Sequence, residues 1–202
     1  RRTLPWLDRP VVVSAILWGN AGRLMDSAVA EFRPGQRVIQ AAAVYGDFSP
    51  RLARRLGDEG QLTVLDVAPI QVANTRRKIA PWPSARAQVA DLTDPLGATF
   101  DAVCCFFLLH EVPPHARRRI VANLLDAVEP GGKIVFVDYH QPRWWHPMGP
   151  LMNLVWRRLE PFAHSLLKES IETLVPETAD FTWSKETCFG GLYQKVVGVR
   201  RA

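Results

Sequence analysis

Arg37-Val-Ile-Gln-Ala-Ala-Ala-Val-Tyr-Gly-Asp-Phe-Ser49 decides how the rest of the chain is read. An apolar run of β type, Val38 to Val44, flows into a single glycine, Gly46, and then into a helical pattern at Leu52, Ala53 and Leu56. That order spells strand, tight turn, helix. In nucleotide-binding α/β proteins the ligand lies at such a turn, against the helix N-terminus and the exposed amides. Here the glycines that let a ligand approach the backbone are nearly gone. Ala43, Val44 and Tyr45 stand in their place. An ordinary scaffold with an altered turn directs the search for function to that turn.

Downstream the alternation repeats. Leu62 to Val67 reads as a second strand whose last polar residue is Asp66. A carboxylate about twenty residues after the turn is the group that takes ribose hydroxyls in dinucleotide-binding units. Asp66 also suits the cap of the helix expected over Ile70 to Ala80; its spacing from Gly46 favours the ligand role. Arg86 to Val89 is a weak third strand, followed by Asp91, where such domains place an acid for the adenine amino group. Phe100 to Leu109 is a continuous apolar strand, as expected for one buried on both faces of a parallel sheet. His110, Glu111 and two prolines follow, and the prolines suit a helix start. Ile120, Val121, Leu124, Leu125 and Val128 recur at helical spacing. Glu129-Pro-Gly-Gly132 is read as the break after that helix, with Lys133 to Val137 as the fifth strand, running into Asp138-Tyr139-His140.

Strand–helix repetition predicts a mostly parallel, doubly wound α/β sheet with helices on both faces, and ligands outside the carboxyl ends of its strands. That edge gathers Tyr45, Asp47, Asp66, Asp91, His110, Glu111, Asp138, Tyr139 and His140. Residues 1–36 read as an N-terminal helical cap, with apolar helical spacing at Pro10 to Trp18 and Leu24 to Phe32. Residues 37–202 form the domain proper. Within it, 141–179 is an insertion, a lid or a membrane-facing segment. Leu151, Leu154, Val155 and Leu159 make its apolar stripe, and Trp144, Trp145, Trp156, Arg157 and Arg158 are candidates for lipid contact. Phe181-Thr-Trp-Ser and Leu192 to Val199 flank Gly190-Gly191, which signals a closing antiparallel hairpin.

The chain has 202 residues, 48% hydrophobic and 22% charged, enough for a substantial core. Its net charge is +5. The arginines come in pairs and one triplet, Arg117 to Arg119, and read as solvated helix faces, so no nucleic-acid partner is expected. No apolar run reaches membrane-spanning length. Neither a signal peptide nor an anchor is expected, and the missing initial methionine admits a trimmed N-terminus. Cys104, Cys105 and Cys188 form no spacing motif, and Cys104 and Cys105 read as small core residues in a reducing compartment. Adjacent in a strand, Cys104 and Cys105 should point to opposite faces.

Five strand–helix units, Asp66, Asp91, the Glu-Pro-Gly-Gly segment and the closing hairpin together resemble a class I S-adenosylmethionine-dependent methyltransferase over about residues 35–200. More narrowly, VYGDFSP, DVAPIQ, FFLLHEVP, VDYHQP and FGGLYQKVV resemble the rhodoquinone-biosynthesis methyltransferase-like family. That resemblance implies conversion of ubiquinone to rhodoquinone, a ring methoxy group giving way to an amino group donated by S-adenosylmethionine, with manganese required. It implies a cofactor set of Gln40, Tyr45, Gly46, Asp47, Asp66, Val67, Asp91, Leu92 and Phe106. A tailed quinone also implies a protein peripheral on the cytoplasmic face of the inner membrane.

Gln40 gives the altered turn a chemical reason. In ordinary methyltransferases an acid ends the first strand and stabilises the donor's ammonium. A nearby opposite charge raises an amine pKa by roughly 1–3 units. To attack a quinone ring the nitrogen must lose a proton, and neutral Gln40 makes the free amine less costly. Tyr45, His110, Tyr139 and His140 are the catalytic candidates. His110, Glu111, Asp138 and His140 are the metal-ligand candidates, with Asp47 and His146 as further ones; their spacing is no recognised metal motif. Two rival readings remain: a methyltransferase acting on a quinone or other apolar acceptor, and a non-catalytic quinone-binding or subunit protein.

Overall fold

The computed structural model describes residues 17–160 and 162–202. Of the helical stretch expected from Pro10 to Trp18, the part up to Ile16 therefore lies outside the described residues. Helix α1 (Ala21–Val29) follows Asn20 and buries Leu24, Met25 and Ala28. The chain divides into two compact units, Arg1–Asp91 and Leu92–Ala202. Its strands make a seven-stranded mixed sheet.

In the first unit β1 (Arg37–Ala41), β2 (Gln61–Asp66) and β3 (Ala85–Val89) run parallel in the order β3-β2-β1. Val38 pairs with Leu62, and Leu65 with Gln88. Helix α2 (Phe48–Leu56) buries Leu52, Ala53 and Leu56, the predicted helical face. Helix α3 (Pro69–Ile79) starts on a proline, whose fixed φ and missing N–H suit a first turn. Strand β1 ends at Ala41, three residues before the expected end at Val44. The cause is Ala42, whose φ is 65°. Its N–H still donates to Leu65 O, but the chain then leaves the sheet.

In the second unit β4 (Phe100–Phe106) runs parallel to β5 (Val128–Tyr139). Strands β6 (Phe181–Cys188) and β7 (Tyr193–Arg200) close the sheet antiparallel, in the order β4-β5-β7-β6. Strand β4 stops at Phe106, not Leu109, because Phe107 takes a φ of 53°. Helix α4 (Pro114–Asp126) starts at the second proline, as predicted. Glu129-Pro-Gly-Gly132 is not a loop between helix and strand. It lies inside β5 as a bulge: Phe100 faces Val128, and two residues later Ala102 already faces Lys133. A Cβ on Gly132 would sit 2.8 Å from Asp101 O, so the close approach requires glycine. Cys104 and Cys105 are buried in β4, and Cys188 at the end of β6 is partly exposed. The β6–β7 turn passes through three left-handed residues, Phe189, Gly190 and Gly191, and a Cβ on Gly190 would overlap the His146 ring.

Between β5 and β6 lie helices α5 (Gly149–Leu159) and α6 (Ala163–Leu166), then 3-10 turns at Ile171–Thr173 and Pro176–Asp180. Among the described side chains α5 buries Met152 and Trp156, four residues apart, whereas Leu151 and Leu154 of the expected stripe are exposed and Val155 is half-buried; the Leu159 side chain lies outside what is described. Trp156 is 0% exposed and is withdrawn as a lipid contact, whereas Trp144 is 95% exposed.

Arg117 corrects the reading of the arginine triplet. It is fully buried. Its guanidinium donates to Leu109 O, Val112 O, Phe162 O and Ser165 Oγ, and pairs with Glu169 at 2.6 Å. One side chain thus ties the segment after β4 to the insertion. Arg117→Met should lower unfolding free energy by about 3–5 kcal/mol, because removing one partner strands the others without water. Urea titration followed by circular dichroism checks this; a loss below about 1 kcal/mol would contradict it.

Candidate functional site

The turn after β1 is held by three side chains. Asp66, at the end of β2, accepts Ala43 N–H on one carboxylate oxygen (2.8 Å) and Ala68 N–H on the other (2.7 Å). Asp66 therefore braces both the turn and the start of α3, and each oxygen keeps a lone pair for a further donor. Lys78, on α3, donates to Gly46 O (2.6 Å) and Val44 O (3.3 Å). Asp47 precedes α2 and pairs with Arg51, which also reaches Asp26. Sequence reasoning missed the cation Lys78 and the pairing of Asp47. An i, i+4 Asp–Arg spacing was the available signal for the second.

Gln40 is wholly buried in β1. Its Nε2 donates to Ala42 O at 2.9 Å, while its Oε1 has no hydrogen-bond partner. A buried amide oxygen without a donor costs about 1–3 kcal/mol. Ala42 occupies a backbone conformation that glycine takes readily and alanine does not. Tyr45 is half-buried in the same turn, Val67 is exposed just past β2, and Asp91 is exposed two residues past β3. Leu92 and Phe106 belong to the second unit and are buried.

The second unit holds a different cluster. Asp138, buried near the end of β5, accepts Leu109 N–H on Oδ2, and Tyr139 N–H and the His110 Nδ1–H on Oδ1, all within 2.8 Å. His110 Nδ1 therefore carries a proton, and Nε2 faces Glu160 Oε2 at 3.9 Å and Glu111 Oε1 at 4.0 Å. Burial opposes charging of His110, but the Asp138 carboxylate outweighs it and holds the imidazole pKa up at about 9. Burial likewise pushes the Tyr139 hydroxyl far above its ordinary range, keeping it a neutral donor. Glu160 is raised by burial, while His110 and a hydrogen bond with Tyr139 pull it back. Tyr139 is the hub of an aromatic nest: His110 at 4.7 Å, Phe107 at 5.4 Å, Trp156 at 5.6 Å and Tyr193, stacked, at 5.8 Å.

The four expected metal ligands do not assemble. Asp138 is taken up by two amides and an imidazole. His140 points its Nδ1 at Gly191 O, 2.9 Å away. His146 accepts Met148 N–H on its own Nδ1. Among the described residues no three His, Cys, Asp or Glu side chains converge to hold a metal. His110, Asp138 and Tyr139 do come together. Glu160, Trp156 and Tyr193 join them, and periodicity marked none of the three as a site residue.

Comparison with known proteins fixes the architecture. Residues 38–132 match the model of a methyltransferase domain. The N-methyltransferase NodS from Bradyrhizobium japonicum superposes with a TM-score of 0.63 at 15% identity, over 90% of this chain and 94% of that one. An S-adenosylmethionine-dependent methyltransferase from Aquifex aeolicus gives 0.66 at 15% identity, over 98% and 97%. The fold is the Rossmann-like methyltransferase fold. Among sequence relatives, the ubiquinone/menaquinone biosynthesis C-methyltransferase UbiE of Teredinibacter turnerae is 26% identical over 143 residues, covering 65% of this chain and 55% of its own length. The corresponding Shewanella halifaxensis protein is 26% identical over 119 residues, covering 55% and 45%. The chain spans about half the length of these curated relatives.

The His110–Asp138 pair makes stability depend on pH. The folded pKa lies above the unfolded value of 6.5, so its stabilisation is complete below about 6.5 and is lost as pH rises through about 9. Unfolding free energy measured from pH 6 to 10 should fall across that window in the wild type. In His110→Gln that part of the slope should vanish.

Proposed function

We propose that this chain converts ubiquinone to rhodoquinone with S-adenosylmethionine as amino donor. Gln40 carries the proposal. It stands where an acid ends the first strand of ordinary methyltransferases, and it offers a buried, unpaired neutral acceptor. A carboxylate there holds an ammonium charged. A carboxamide oxygen accepts an amine N–H with no such preference, which leaves the nitrogen lone pair available for reaction. The ring chemistry then balances simply. The amine nitrogen bonds to the ring carbon bearing the methoxy group, nitrogen gives up a proton, and methoxide leaves with that proton as methanol. An α-proton shift then passes two electrons into the ring, giving the quinol and a C=N bond at the donor's α-carbon, and water hydrolyses that imine to the aminoquinol and the donor's α-keto acid.

Each unit supplies groups suited to its share. In the first, Asp66 retains acceptor capacity for ribose hydroxyls, and the exposed Asp91 suits an adenine amino group. In the second, cationic His110 has an Nε2–H suited to a quinone oxygen, whose polarisation favours nucleophilic addition. Manganese, implied by the family resemblance, meets no three-ligand group among the described residues. The names of the sequence relatives favour a second reading, methyl transfer to a quinone ring carbon.

Substrate tails bring such an enzyme to a bilayer. We assign that contact to exposed Trp144, Trp145, Leu151 and Leu154, flanked by exposed Arg157 and Arg158, on the cytoplasmic side. No helix among the described residues is long and apolar enough to cross a membrane. Flotation with anionic liposomes at low salt should carry the wild type to the lipid fraction. Trp144→Ser/Trp145→Ser should stay behind.

The deciding experiment uses S-adenosylmethionine labelled with heavy nitrogen at the amine and heavy carbon at the methyl. Quinone mass spectra should show the nitrogen and not the carbon, with no S-adenosylhomocysteine formed. Gln40→Glu should cut nitrogen transfer about tenfold or more near neutral pH, with cofactor binding retained by calorimetry. Heavy methyl on the ring would establish the second reading instead.

A further inference from the structure

Four buried side-chain polar atoms described in the second unit have no hydrogen-bond partner: one, Gln194 Oε1, belongs to an amide whose Nε2 bonds Tyr139 O, and the other three belong to side chains around Tyr139. Those three are Trp156 Nε1, Tyr193 OH and Glu160 Oε2. Trp156 and Tyr193 are both fully buried, and both rings pack against Tyr139, at 5.6 and 5.8 Å. Glu160 hydrogen-bonds Tyr139 through its carboxylate. Buried donors and acceptors in folded proteins are nearly always paired, so a group of three orphans in one nest needs a reason. Each costs stability in the unliganded protein. Two of them are donors with nothing to give to, and the third, Glu160 Oε2, has the ion-pair contact with His110 Nε2 at 3.9 Å but no hydrogen bond. The walls are aromatic. What satisfies this set is a flat ring carrying at least two acceptor oxygens and one O–H or N–H.

We propose that Trp156 and Tyr193 are the acceptor-binding residues of this enzyme, donating to two oxygens of an oxygenated aromatic ring, while Glu160 receives a hydrogen that the ring itself bears. A 2,3-dimethoxy-benzoquinone head group supplies the oxygens in both redox states. Its quinol also supplies the hydrogen for Glu160. The quinol is therefore the tighter ligand, and the quinone, the form that amine addition requires, is held through Trp156 and Tyr193 alone. This assignment rests on the quinone reading above but not on which atom is transferred.

The test is head-group binding without the amino donor. Calorimetry with a tail-less dimethoxy-methyl benzoquinone and its quinol, kept under reductant, should show binding to the wild type, with the quinol preferred. Tyr193→Phe should weaken it about tenfold, the effect of one lost hydrogen bond. The same variant should be at least as thermally stable as the wild type when empty, since it removes an unpaired buried hydroxyl. A structural role for the hydroxyl gives the opposite, a lower melting temperature with binding unchanged, and overturns the proposal. Trp156→Phe, assayed where circular dichroism shows it folded, should repeat the loss of binding. Unchanged affinity in both variants means that trapped water alone occupies the nest, and also overturns it. Heavy-nitrogen transfer is read separately, so head-group binding with no amino product would sink the amination chemistry and leave this site standing.

Discussion

A carboxylate with no access to water is the constraint on which the second unit turns. Asp138 is tolerable where it lies only because two backbone amides and an imidazolium surround it. Satisfying it dictates much else. Leu109 N–H must point inward, so the chain has to leave β4 early, and Phe107 adopts a left-handed conformation to let it. His110 is pinned by Nδ1, which leaves Nε2 as its outward face. Tyr139 is carried along as the next residue of β5 and becomes the centre of the aromatic nest. Arg117 reinforces the same segment from behind through Leu109 O and Val112 O.

The first unit solves a related problem with the same means. Asp66 also ends a strand and also spends its carboxylate on backbone amides, one from the turn and one from the start of the next helix. The two acids differ in what they leave over. Asp138 is consumed by its partners, whereas Asp66 retains capacity. That contrast explains why a strand-end acid reads as a ligand in one place and as a brace in the other.

Much of this is legible in the chain. Continuous apolar runs mark the strands, helical spacing marks α2, α3 and α4, and Gly190-Gly191 marks the closing hairpin. The departures share a physical origin. Ala42 and Phe107 are apolar residues in left-handed backbone, and nothing in an apolar run announces a change of φ. Glu129-Pro-Gly-Gly132 has turn composition, yet a wide bulge uses the same residues. Arg117 looks like its solvated neighbours until carbonyls from distant segments are brought around it. Trp156 passes for a surface residue in the sequence because the exposed and buried faces of a short amphipathic helix differ by one position. His110, Asp138 and Tyr139 stand out as polar residues at strand ends. Glu160 and Tyr193 do not, since their significance comes from lacking partners, a property that exists only in three dimensions.

The paired cysteines of β4 have a consequence of their own. Burial pushes both thiols far above their ordinary range and denies reagents a path to them, while Cys188 at the end of β6 is partly open. A thiol-modifying probe thus meets a molecule with two tempos built in. Cys188 reacts from the native state, and the pair deep in β4 reacts only during excursions that pull the central strand apart. The chain carries its own stopwatch for rare openings, wound by the same packing that keeps those sulfurs inert.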